Sequence, residues 1–426
     1  MNLDSFKSGG KLFFLKQWRQ SSWQSLQLGA PLLLLGLFFE GFNESFLRPD
    51  SFFYQILDLR KWNWLIEFSK AAAALSQICF SSFLLLLCVA TAAFQIRQCP
   101  TIAGSNNHSA RLQSSLAAVL LLLTISYSQR VFSSGAGLNW LGGRATFLEA
   151  MLVGLLGAGT YYGLQYWFRQ RNWTLQLWQL TLASLLEGGL IRELNHFIQH
   201  GHWFITGSLS QLNLSTTHLP GVVAASGQSI INTCQFWVGA VSPGNIAADF
   251  SDDAINSVNL AAALTKNSLK DLPEPLNLHS LLGSYALLGG TSQLLALLLV
   301  MLLVGSHQQQ KLSRLNLIPV FFNLNGGLFA GVPLFFNWQL LMPLILAPLV
   351  SIWLAAAALA LKLLPPAVYP TPNGTPTLLN AFLGTAGKWQ VLAFTIMILL
   401  LSMLIYYPFV NSSCNREISK EAARLV

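Results

Sequence analysis

The stretch from Leu315 to Leu361 holds 47 consecutive residues without a formal charge, and its first part is not patterned like a membrane-crossing helix. Pro319 comes first, then Asn323, Asn325 and the pair Gly326-Gly327, then Gly331, Pro333 and Asn337 ahead of the apolar run that begins at Leu340. Prolines, paired glycines and asparagines facing lipid would leave backbone groups unsatisfied, which is strongly unfavourable in hydrocarbon. Non-helical backbone is tolerated at membrane depth only where it is buried in protein or lines a watery cavity. The segment 317–337 is therefore expected to be a re-entrant element that handles a solute.

Composition sets the surroundings of that element. The chain is 53% hydrophobic and 9% charged, against roughly 25% charged residues in a soluble domain. Uncharged runs from Ala71 to Ile96, Pro275 to Gln310 and Gln390 to Asn415 each exceed the ~20 residues a helix needs to cross a bilayer. Apolar segments near 26–39, 71–95, 112–128, 146–168, 174–191, 279–304, 339–363 and 390–410 read as spans. The stretch 194–248, free of Lys, Arg, Asp and Glu, has room for one or two more. The expected fold is an all-α polytopic membrane protein of about ten transmembrane helices, with re-entrant hairpin elements in its C-terminal half.

Lys7, Lys11, Lys16 and Arg19 precede the first span and place the N-terminus in the cytoplasm by the positive-inside rule. Alternation from there puts Arg97 and Arg111, Arg169 and Arg171, Lys311 and Arg314, and the tail residues Arg416, Lys420 and Arg424 on the same side, provided 317–337 returns rather than crosses. The first span lacks a small-residue cleavage site and is read as retained. Four regions result: a cytoplasmic N-terminal segment 1–20, a scaffold and dimerisation half 21–200, a substrate half 201–410, and a cytoplasmic tail 411–426.

Several chemistries find no support. The net charge of +8 is spread along the chain rather than gathered into a patch that would bind nucleic acid. There is no Walker loop, no Gly-rich dinucleotide motif and no GxSxG elbow, so no catalytic residue and no cofactor are assigned. Cys79, Cys88, Cys99, Cys234 and Cys414 form no CxxC pair and suggest no disulfide framework. Glu193, His196, His200 and His202 have helical spacing, but no further ligand pattern joins them and no metal site is assigned. What remains are groups suited to a neutral, hydroxyl-rich solute. Asn323 and Asn325 offer carboxamide donors and acceptors. Gly326 and Gly327 leave backbone accessible beside them, and Gly289-Gly290-Thr291-Ser292 breaks the apolar segment His279 to Val304 as a packing point, a hinge or a backbone contact. Trp237 and Trp389 offer ring faces for stacking, although interfacial Trp is common for ordinary amphipathic reasons.

These residues carry a family resemblance. Phe322-Asn323-Leu324-Asn325-Gly326-Gly327-Leu328-Phe329-Ala330-Gly331-Val332-Pro333-Leu334-Phe335-Phe336-Asn337 resembles the signature FNINEPxxFGxPxxxN of the lactose/cellobiose/diacetylchitobiose-type enzyme IIC of the bacterial phosphoenolpyruvate-dependent sugar phosphotransferase system. Pro343 to Val350 is similar to the family's PFxLxPLV, Asn380 to Trp389 to GFLATGGxW, and Ile405 to Phe409 to IYYPF. Gly289 and Gly290 resemble the glycine pair ahead of the signature loop, and Asn256 to Ala263, with Asn259, resembles an Asn-rich segment. The likeness covers roughly 279–410 and is faint before it.

The resemblance implies a homodimeric permease in the bacterial cytoplasmic membrane, with both termini in the cytoplasm. It would bind an oligosaccharide and act with separate IIA and IIB proteins, the latter bearing a phosphocysteine. On this reading the substrate-binding residues are Asn323, Asn325, Gly326, Gly327, Trp237, Asn259, Gly289, Gly290 and Trp389. Two departures stand out. Gly326-Gly327 replaces the family's Glu-Pro, and Phe236 to Ser242, the counterpart of a WFFGIHG-like stretch, holds no histidine. Restoring Glu at 326 and Pro at 327 is expected to strengthen sugar binding if the pocket is otherwise intact. The departures also leave room for a non-phosphorylating homologue that senses a sugar or anchors a partner, or for a carrier of another polar solute.

Overall fold

The structure, a computed structural model, describes residues 10–98, 107–126, 145–168, 173–200, 220–248, 250–332 and 334–425. Among them there is no strand, only two isolated bridges, Ser51 to Asn373 and Ile246 to Leu324. The first half contributes α1 (Gly10–Phe42), α2 (Trp64–Gln98), α3 (Asn107–Ser126), α4 (Phe147–Phe168) and α5 (Trp173–His200). Small residues let these helices close on one another. A Cβ at Gly36 of α1 would stand 2.7 Å from the Phe80 ring of α2. The start of α4 is fixed by a reciprocal cap: Glu149 N donates to Thr146 Oγ1 at 3.2 Å and Thr146 N to Glu149 Oε2 at 2.9 Å.

The second half contributes α6 (Gly221–Val238), α7 (Ala254–Lys266), α8 (Leu294–Val304), α9 (His307–Phe321), α10 (Trp338–Ala360) and α11 (Trp389–Leu425). Among the described residues, six helical stretches are long and apolar enough to cross a membrane: Gln17–Leu47, Trp64–Arg97, His108–Ile125, Phe147–Gln165, Trp338–Ala360 and Trp389–Ser412. The chain is thus an all-α membrane protein. The expected segment 174–191 lies within α5, which is not among the six.

Two expectations are corrected. The segment 279–304 is not one interrupted span. It is a π-helical turn His279–Tyr285, a break, a short 3-10 turn Thr291–Gln293, and then α8. Positive φ at Gly289, Gly290, Ser292 and Gln293 turns the chain out of the helical path. The 11 residues of α8 reach only about 16 Å at 1.5 Å per residue, about half the hydrocarbon core. Conversely, Leu315 to Phe321 is helical, because Pro319 falls in the last turn of α9. That helix starts on a firm cap: Ser306 Oγ accepts from Gln309 N and Gln309 Oε1 accepts from Ser306 N.

Between α9 and α10 the chain is broken and buried. Asn323 has φ +64°, a 3-10 turn covers Gly326–Ala330, and Asn337 caps α10 by accepting from Gln339 N at 3.2 Å. Leu328, Phe329, Leu334 and Phe335 join Leu33, Leu37, Phe83 and Phe147 in one core that draws on both halves. Phe329 sits 4.7 Å from Phe147 and 4.8 Å from Phe236, centroid to centroid. Pro333 lies outside the described residues.

The connection from α1 to α2 also reaches across the molecule. Asp50 accepts from Asn373 Nδ2 at 2.6 Å through its side chain and from Asn373 N at 3.1 Å through its carbonyl, while Phe52 N donates to Asn373 O at 2.9 Å. Arg48 braces this connection, with Nη1 2.8 Å from Glu44 Oε1 and a two-pronged contact to Asp50 at 3.0 Å. Burial alone would lower the Arg48 pKa, but the Glu44 and Asp50 carboxylates raise it above the usual guanidinium value.

Candidate solute site

Among the described residues, positive φ values are most densely gathered in the break before α8. Four of the five residues from Gly289 to Gln293 have positive φ: +79° and +83° at the two glycines, +65° at Ser292 and +56° at Gln293. At a residue with a side chain such a conformation costs on the order of 1–3 kcal/mol, so the surroundings must hold it. Both glycines are required by space as well as by φ. A Cβ on Gly289 would lie 2.5 Å from Leu295 N, and one on Gly290 would overlap the Asn325 amide.

What holds the turn is polar and buried. Gly289 N donates to Thr377 Oγ1 at 2.7 Å, and Thr377 Oγ1 donates to Leu287 O at 2.7 Å. Gly290 N donates to Asn323 Oδ1 at 3.1 Å, which fixes the amide of a residue only 6% exposed. Asn325 is more deeply buried. With its oxygen turned to Thr291, it accepts from Thr291 N and Oγ1 and donates to Gly289 O, each at 3.2 Å. The opposite orientation keeps one of these contacts, Nδ2 to Thr291 Oγ1. The first orientation matches every donor to an acceptor and is preferred on that ground.

Beside the turn lies a small cleft of about 30 Å³. Ser229 and Asn232 of α6 line one side, Gly290, Thr291 and Ser292 of the turn another, and Pro348 of α10 closes it. Asn232 Oδ1 accepts from Gln228 Nε2 at 2.8 Å. None of the described lining residues is charged. Hydroxyls, a carboxamide and turn backbone against apolar walls suit a neutral solute that both donates and accepts hydrogen bonds.

Among the nine sequence-derived site residues, Asn323, Asn325, Gly289 and Gly290 come together around the turn, and Gly290 lines the cleft. Gly326 and Gly327 follow at once, packed against other chain segments. A Cβ at 326 would overlap Pro243 O, and one at 327 would overlap Asn316 Oδ1. Trp237 is buried away from the cleft lining, with Nε1 donating to Asn337 O at 3.0 Å and its ring 4.7 Å from Trp338. Asn259 closes a reciprocal pair with the Glu274 backbone, at 2.5 Å to its carbonyl and 3.0 Å from its N–H. Trp389 is 74% exposed and meets Phe382.

Sequence reading missed Ser229 and Asn232. The available signal was Ser229, Asn232 and Thr233 at helical spacing in an uncharged stretch. Among the described residues no group of three His, Cys, Asp or Glu side chains gathers around a metal-sized space. His202 and the side chains of His196 and His200 lie outside the described residues.

No protein-family model matches the chain. Over 135 residues it is 34% identical to the cellobiose-specific EIIC component of the phosphotransferase system of Lactococcus lactis, covering 32% of this chain and 27% of that protein. Over 136 residues it is 30% identical to the lichenan permease IIC component of Bacillus subtilis, covering 32% of this chain and 30% of that protein. This chain is a relative of the IIC permease components. The shared stretch spans under a third of the length of those relatives. A crystal structure of the transporter ChbC, the IIC component from the N,N'-diacetylchitobiose-specific phosphotransferase system, overlays 98% of this chain and 99% of its own at 18% identity, with a TM-score of 0.40.

Proposed function

We propose that this IIC relative is a sugar permease that takes up a β-linked disaccharide or short oligosaccharide across the bacterial cytoplasmic membrane. The observation that carries this reading is the cleft against the Gly289–Gln293 turn, none of whose described lining residues is charged, in a chain related to cellobiose and lichenan permease components. The sugar hydroxyls would meet Asn232, Ser229, Thr291 and the turn backbone. Asn323 and Asn325 would act one step back, holding the turn. The segment 317–337 would be re-entrant, as would the broken stretch that ends in α8, within about ten membrane-embedded helices. The first half, 21–200, would be the scaffold of a homodimer and 201–410 the substrate half, with both termini in the cytoplasm. Phosphorylation would fall to separate IIA and IIB proteins, because this reading assigns the chain no catalytic residue.

One observation favours a second reading. Gly326 and Gly327 stand where the family signature has Glu-Pro, and backbone and side-chain atoms fill the space around them. A site without that carboxylate fits a homologue that binds sugar without phosphorylation-coupled uptake. Proteoliposomes loaded with IIA, IIB and a phosphoryl donor, then offered radiolabelled cellobiose, separate the two. Accumulation of sugar phosphate that depends on the added proteins supports the permease. Saturable binding with no uptake supports the sensor, and the absence of both results overturns a sugar function.

A further inference from the structure

The Gly289–Gln293 turn is held from behind by two hydroxyls of α11 that do not touch the cleft. Tyr406 OH donates to Ser292 O at 2.5 Å, and Ser402 Oγ donates to Gln293 Oε1, across 114 and 109 residues of chain. Gln293 completes the brace by donating through Nε2 to Ala286 O at 3.2 Å, on the other side of the turn. From α6, Thr233 Oγ1 lies 2.9 Å from Ser292 Oγ. Ser402 and Tyr406 are four apart, so they project from one face of α11, and both are buried. The contacts fall on the two residues, Ser292 and Gln293, that carry positive φ without being glycine.

A strained conformation persists only when its neighbours over-determine it; apart from Thr233 Oγ1 at Ser292 and the bonds of Gln293 to Ala286 O and Gly290 O, the remaining turn contacts reach Gly289, Gly290 and Thr291. Without Tyr406 and Ser402, Ser292 and Gln293 could relax toward ordinary helical φ. That relaxation would swing Thr291 and Gly290, which line the cleft.

We propose that Ser402 and Tyr406 are positioning residues for the solute site: they set the shape of the Gly289–Gln293 turn without meeting the solute. The proposal rests on the permease reading for its solute but not for its mechanics. The test uses purified full-length protein with Tyr406→Phe, Ser402→Ala and Ser402→Thr. Amide hydrogen exchange over 286–295 is read beside that over α6, and radiolabelled cellobiose binding is read at a temperature where every variant is folded.

Tyr406→Phe and Ser402→Ala are expected to speed exchange at least tenfold over 286–295 while α6 keeps its wild-type rates, and to weaken cellobiose binding at least tenfold. Ser402→Thr, which keeps the hydroxyl, is expected to stay close to wild type in both. A general loss of folding would raise exchange everywhere, and the threonine variant would not rescue it. Unchanged exchange over 286–295 overturns the proposal, as does faster exchange with affinity within twofold of wild type. If the wild-type protein binds no cellobiose, the permease reading fails on its own and the exchange measurement decides whether α11 shapes the turn. Should Tyr406→Phe fail to fold, the Ser402 pair decides.

Discussion

A carboxamide withdrawn from water needs hydrogen-bond partners, and the Asn323 oxygen and both ends of Asn325 find theirs at one turn. Truncating either leaves a buried N–H or C=O unpaired, at a cost of about 1–3 kcal/mol. Asn323→Ala and Asn325→Ala are each expected to lower the thermal unfolding temperature in detergent, whereas a residue that only contacts solute would leave the solute-free protein unaffected. The Gly326→Glu, Gly327→Pro double variant is expected to lose folded protein on size-exclusion chromatography rather than gain affinity, because its new Cβ atoms meet Pro243 O and Asn316 Oδ1. Sequence patterning located these residues, since amides and paired glycines in an uncharged segment are costly against lipid and must turn toward protein or water. Their partners were not legible. Which amide meets which backbone group depends on how segments more than 30 residues apart come together.

At the scale of elements, close packing of small residues decides which helices meet. On α4, a Cβ at Gly154 would lie 2.5 Å from Cys88 O of α2, and one at Gly157 would lie 2.6 Å from the Ala118 backbone of α3. Gly163 on the same helix has nothing within 4 Å. Gly154→Ala and Gly157→Ala are expected to destabilise the protein by about 1–3 kcal/mol through overpacking, while Gly163→Ala leaves stability unchanged or slightly improved. Thermal unfolding of the three variants side by side checks this contrast. Long apolar helices such as α2, α10 and α11 are plain from composition alone. The broken stretch 279–304 is not, because Leu-rich sequence on both sides of Gly289-Gly290 hides how far the chain departs from helical geometry. Helix α9 departs from expectation in the opposite sense: its cap at Ser306 carries the helix through Pro319.

Across the whole molecule, the two halves share a core and are also tied near Asp50 and Asn373. Asn373→Ala removes the side-chain tie to Asp50 and is expected to speed hydrogen exchange of amides 48–56 without altering that of α2. Equal rates would mean the connection is held by its aromatic contacts, such as Phe46 against Phe53 at 4.3 Å. This long-range pairing had no sequence signal, since Asp50 and Asn373 are ordinary turn residues. The central claim is that the cleft between α6 and the Gly289–Gln293 turn binds sugar. Equilibrium binding of radiolabelled cellobiose to purified wild-type, Asn232→Leu and Trp389→Ala protein tests it most directly. The account predicts saturable binding by wild type, a loss of at least tenfold in Asn232→Leu, and wild-type affinity in Trp389→Ala. Absent binding by wild type, or Asn232→Leu binding as tightly as wild type, would contradict it.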